Sequence, residues 1–186
     1  NNSFGGLVTA VGNTASLNSK GALSAFVNVQ EATLIAAGNL AVMGATSKGL
    51  TTTTTGENST TTFGSTSVGA DLTVTSTGSV SQEQNMALTV SGKTLINAGT
   101  RDVTLSNATN AFNSIAVTGG AVSVTDTNGV VLDAIKATSL TVKAGDAVTQ
   151  TAAATVTGAT AVDAGANAVT LANANNDFGS IGVTAG

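Results

Sequence analysis

The side chains with the strongest claim to chemistry are ten carboxylates, strung out from Glu31 to Asp177. Two carboxylates about 5 to 10 Å apart would make a glycosidase site. Here the acids are dispersed, and half of them read as turn residues: Asp126, Asp133, Asp146, Asp163 and Asp177. There is no His to act as general base and no Cys nucleophile, so the Ser residues lack a partner that could activate them. No catalytic residue is assigned, and the chain is expected not to be an enzyme.

Metal and ligand motifs are equally thin. The Gly-Gly-x-Gly-x-Asp repeats of calcium-binding β-rolls are absent. Asp126-Thr127-Asn128-Gly129 lacks the further acids of an EF-hand loop and reads as a turn. No metal or cofactor site is assigned. Thr51 to Thr55 and Thr60 to Thr62 raise ice binding, but they cluster in one region instead of recurring once per coil. Outward Thr is explained by β-propensity. Three glycosylation sequons begin at Asn1, Asn58 and Asn107. A chain so rich in Asn and Thr produces such triplets by chance, and Asn107 has a competing structural role described below.

Composition excludes further classes. Only six basic residues are present, scattered singly, with net charge −4 and 3% aromatics. Phosphate neutralisation and base stacking both lack their residues, so no nucleic-acid partner is expected. No run of apolar residues is long enough to cross a membrane as a helix. The absence of Cys is compatible with export. Neither Met nor a signal peptide opens the chain at Asn1, and it stops inside a repeat. It is expected to be a piece of a longer array.

The elements that remain are strands. Thr, the commonest residue, is a poor helix former, as are Gly, Val and Asn, and no helical apolar period is sustained. Short alternating runs such as "LTVTSTG" (Leu72 to Gly78), "ALTVSG" (Ala87 to Gly92) and "LTVKAG" (Leu140 to Gly145) close on Gly. Strand-closing glycines recur at near-even intervals: Gly78, Gly99, Gly120, Gly145, Gly165 and Gly186. "TLSNATNAFNSIAVTGG" (Thr104 to Gly120) returns without gaps as "TLANANNDFGSIGVTAG" (Thr170 to Gly186), identical at eleven of seventeen positions. A fixed period of about 21 residues means a solenoid, in which each coil pairs with the next about 4.8 Å away. The reading is one all-β parallel solenoid over 1–186, of about nine coils. Residues 45–70 form either an irregular Thr-rich coil with a long turn near Gly56-Glu57-Asn58 or a projecting loop.

Inward positions should include Val117, Val122, Val124, Leu140, Val142, Val162, Leu171, Ile181 and Val183. The repeated Asn residues are expected to stack in amide ladders, and Phe112 and Phe178 to plug a corner of the coil. The Phe residues are taken as internal. The lack of Pro fits, because interior strands must donate hydrogen bonds. Both ends of such a stack leave an unpaired edge, so isolated chains should associate head-to-tail.

The run from Leu140 to Gly186, and above all the pattern NA-x-N-x-F-x-S-I-x-V-T, resembles the haemagglutinin-type repeats of filamentous-haemagglutinin-like exoproteins. The match is best from about Leu88 onward. That resemblance implies a right-handed parallel β-helix and export by two-partner secretion through an outer-membrane transporter. It implies a secreted or cell-surface stalk serving adhesion to cells or to biofilm exopolysaccharide. The family's secretion domain carries Asn-Pro motifs, and this chain has no Pro, so that domain is not included. Contact-dependent inhibition proteins share the stalk, but nothing here resembles their toxin. The expected role is a stalk segment. The alternative is a solenoid that binds carbohydrate directly on its outer faces.

Overall fold

The computed structural model describes residues 2–186, and among these every regular element is a strand. The chain winds into a right-handed parallel β-helix of about nine coils. The first coils are built from two long strands, β1 (Leu7–Ser19) and β2 (Leu23–Ala36). Shorter pieces follow: β3 (Leu40–Thr46), β4 (Leu50–Thr54), β5 (Thr61–Val68), β6 (Leu72–Thr75), β7 (Val80–Gln82) and β8 (Leu88–Asn97). The second half comprises β9 (Val103–Leu105), β10 (Ala111–Thr118), β11 (Ala121–Asp126), β12 (Val130–Ala137), β13 (Ser139–Ala144), β14 (Val148–Gln150), β15 (Ala154–Asp163) and β16 (Asp177–Thr184). At about 4.8 Å per coil the rod is roughly 40 Å long.

Period-two alternation sets the faces. In β2 the pattern puts Leu23, Ala25, Val27 and Val29 inside and Ser24, Phe26 and Asn28 outside. Strand pairing then stacks like on like. One inward column runs Leu23, Leu40, Thr61, Val80, Val103, Val122, Leu140, Thr160 and Ile181, one residue per coil. Its steps are unequal, shortest from Leu23 to Leu40 and longest from Val80 to Val103, and they scatter about the near-even period that the glycines suggested. Turns change length from coil to coil, and four strand pairings, β3–β5, β8–β10, β10–β12 and β15–β16, each shift register by one residue.

Six of the nine expected inward residues are buried: Val117, Val122, Val124, Leu140, Val142 and Val162. Leu171 packs against the core but is only half-buried. Ile181 and Val183 are 44% and 51% exposed. They pair with Thr160 and Val162 and face inward as expected, but no coil of the described chain covers them. The Phe residues divide. Phe63 and Phe112 are buried and Phe178 is half-buried, whereas Phe26 lies on the outer face, 37% exposed.

The Thr-rich segment 45–70 is a coil with a long turn. Thr52 and Thr54 point inward from β4, while Thr51 faces out. The turn is pinned by hydroxyls: Thr54 Oγ1 donates to Ser59 O at 2.9 Å, and Ser76 Oγ to the same carbonyl at 3.1 Å.

Three inward Thr hydroxyls, on Thr52, Thr94 and Thr160, have no hydrogen-bond partner. Thr94 sits between Leu72 and Ile115, its aliphatic counterparts in the adjacent coils. Burying a hydroxyl unpaired costs about 1–3 kcal/mol. Thr94→Val keeps the shape and removes the hydroxyl, so it should stabilise the rod by about 1 kcal/mol in a urea titration. A lowered midpoint would show that Thr94 has a partner after all.

Candidate functional site

The repeated Asn-x-x-Asn-x-Phe core is a pair of matching polar clamps at a corner of the coil. Asn110, fully buried, accepts from Leu88 N at 2.9 Å and Gln82 Nε2 at 2.6 Å. Its Nδ2 donates to Gln82 Oε1 at 2.9 Å and Leu105 O at 3.1 Å. Asn176 repeats each contact: Ala154 N at 2.9 Å, Gln150 at 2.5 and 3.0 Å, and Leu171 O at 3.1 Å. Asn107 also reaches the preceding coil. It accepts from Asn85 N and donates to Glu83 O and Met86 O. The expected Asn–Asn ladder is therefore corrected to an Asn–Gln clamp. The two Gln went unread because the offset that lays Asn110 on Asn176 lays Gln82 on Val148, short of Gln150. An ungapped comparison hides them.

Two of the carboxylates, Asp126 and Asp133, are held in structural contacts. Among the described residues, no three His, Cys, Asp or Glu gather as a metal site. Asp133 pairs with Lys93 two coils earlier, and this contact holds its carboxyl below the usual carboxylate range. Asp126, 2% exposed, accepts from Phe112 N at 2.6 Å and Asn128 N at 2.7 Å. Asp126-Thr127-Asn128-Gly129 is thus the turn that the sequence suggested.

Burial pushes the Asp126 carboxyl above its usual value of 3.8, against the opposing pull of its two backbone donors. An acid with a raised folded value holds its proton more tightly folded than unfolded. That stability is fully present below pH 3.8 and is lost as pH rises through the folded value. Asp133 acts in the opposite sense and in a lower window, below 3.8. Urea midpoints of the parent should therefore fall as pH rises above about 4, and those of Asp126→Asn should change less. Equal slopes in the two proteins would remove Asp126 as the cause.

The outer surface carries the remaining candidates. Asn58, in a turn with φ 54°, is exposed and its Oδ1 accepts from Arg101. With Thr60, Ser79 and Asp102 these residues line an open polar dish of about 650 Å³. The side chain of Asn107 is tied to the preceding coil, as its place in the repeat suggested; Asn1 lies outside the described residues. Outward Thr33, Thr51 and Thr73 stack over three coils, beside Thr53 and Thr75. Leu95 and Asn97 then end the array, so it does not recur along the rod.

A second groove, of about 580 Å³, crosses four coils between β2 and β8. Phe26, Met43, Met86 and Glu83 line it, over a floor that includes Gly44 and Gly64. The alternation in "LSAFVNVQ" and "LAVMGAT" already put Phe26 and Met43 on the outer phase.

Searches of curated proteins and of solved structures returned no match. The family described as repeats of unknown function (DUF5649) matches twice, over residues 48–118 and 119–185, about three quarters of the chain. Each matched stretch takes in one of the two Asn–Gln clamps. The chain belongs to the DUF5649 repeat family, whose unit is here a little over three coils of a parallel β-helix.

Proposed function

We propose that this chain is a stalk segment of a secreted bacterial adhesin, a rigid non-catalytic spacer exported through an outer-membrane transporter. The observation that carries the reading is the unbroken inward column from Leu23 to Ile181, in which each coil is fixed by its neighbours. Stability in such a stack comes from nearest-neighbour interfaces, so length is gained by adding coils. The resemblance of Leu88 to Gly186 to haemagglutinin-type repeats supports adhesion as the purpose of that length. Its partners are then the flanking coils of the same protein. For the isolated chain the partner is a second copy, added head-to-tail over Ile181 and Val183, which light scattering over a concentration series would detect.

One observation favours direct carbohydrate binding instead: the polar dish around Arg101, whose amide, hydroxyl and carboxylate groups suit sugar hydroxyls. A swap separates the readings. Replacing the segment in its parent protein by an unrelated β-solenoid of equal coil number should leave cell and matrix adhesion intact. Loss of adhesion in the swapped protein would sink the stalk reading.

A further inference from the structure

The chain has two Met, and the fold brings both to one place. Met43 of β3 and Met86, between β7 and β8, line the groove beside Phe26. Phe26 and Met86 are 37% and 39% exposed, and Leu7 and Val11 of β1 are exposed as well. Of the seven exposed large apolar residues, Phe26 and Met86 are the two that line this groove, with Met43 beside them. Single exposed apolar residues mean little, but convergence around a concave floor marks a binding site.

The two clamps show that this wall is an addition to the rod. Between clamp and strand the first repeat carries Glu83-Gln84-Asn85-Met86-Ala87, whereas the second carries only Thr151-Ala152-Ala153. The clamp itself is the same in both. Asn107 anchors the longer turn through Glu83 O at 2.8 Å and Met86 O at 2.7 Å, so the wall is held ready. The rod closes without these extra residues in its second repeat.

We propose that the groove docks an extended, basic and apolar peptide segment of a protein partner. Glu83 is the one ionisable residue lining it, and a Cβ placed at Gly64 would lie 3.5 Å from Glu83 Oε2. The carboxylate thus reaches over the floor. With a chain net charge of −4, the groove suits a cation and repels an acidic partner. A Lys or Arg side chain meets both needs: its stem packs on Met43 and Met86, and its head lies between Glu83 and the Phe26 ring. Flexible thioethers adapt to irregular aliphatic side chains, whereas a sugar ring prefers flat aromatic platforms, of which there is one. The chemistry favours peptide over glycan.

The test uses the whole chain with its Met methyl groups carbon-13 labelled, so that both signals report from the groove. A short peptide alternating Lys and Leu should shift both signals saturably. Glu83→Gln should weaken binding about fivefold and reduce its salt dependence. Phe26→Ser, on the outer face, should also weaken it while leaving the far-ultraviolet spectrum unchanged. No shift at millimolar peptide, an equal shift from a Glu–Leu peptide, or undiminished affinity in Glu83→Gln would overturn the proposal. Shifts caused by a neutral oligosaccharide but not by the peptide would overturn it in favour of a glycan.

Discussion

Asn110→Asp is expected to cost about 3 kcal/mol or more, although it changes a single amide nitrogen to oxygen. The buried Asn110 side chain uses both halves of its amide. Oδ1 accepts from Leu88 N and Gln82 Nε2, and Nδ2 donates to Gln82 Oε1 and Leu105 O. Aspartate keeps the accepting half. Its second oxygen would face two oxygens that have lost their donor, with an uncompensated charge in a site sealed from solvent. Asn176→Asp makes the same change in the half-buried second clamp and should cost less. Urea titration of the two variants beside the parent measures both effects. Lowering the pH should restore part of the loss, because a protonated aspartate donates one hydrogen bond. A parent-like midpoint for Asn110→Asp would mean that the clamp is ornamental.

Gly44→Ala should be similarly damaging, at about 2–4 kcal/mol. Gly44 has φ 111°, a conformation open to glycine, and an added Cβ would sit 2.0 Å from Val27 O in the adjacent coil. The strand could relieve that clash only by leaving its partner, at a point where the β3–β5 register already shifts. Gly99 is the internal control. Its φ is 60°, but a Cβ there meets nothing within 4 Å, so Gly99→Ala carries only the backbone cost of about 1 kcal/mol. Equal losses in the two variants would show that backbone conformation, and not the coil-to-coil approach, sets the requirement for glycine.

The architecture was legible in the sequence because alternation and repetition are local signals. The inward Val122, Val124, Leu140 and Val142 follow directly from runs of period two. What stayed hidden depends on relations between coils. The unequal steps from Leu23 to Leu40 and from Val80 to Val103 reflect turns that lengthen independently of the strands. The Thr run could not be divided from composition: Thr52 and Thr54 face in and Thr51 faces out, a phase fixed by Leu50 at the start of β4. Phe26 was taken as internal on hydrophobicity, though its place between inward Ala25 and Val27 already set it outside. The groove was beyond reach for a different reason. Met43 and Met86 lie two coils apart, and Met86 sits in the extra residues between β7 and β8, which no alternating run marks.

The parallel pairing between coils has a mechanical consequence. Interstrand hydrogen bonds run along the rod axis, so a pull on the two chain ends loads the outermost coil while the interior bears no peeling force. Such a rod yields by unwinding from an end, one coil per event. Each event releases about 70 Å of extended chain, from roughly 20 residues at ~3.4 Å each, while the rod shortens by about 4.8 Å. Tethered at a surface, it would behave as a reel that holds the load near one level while feeding out length.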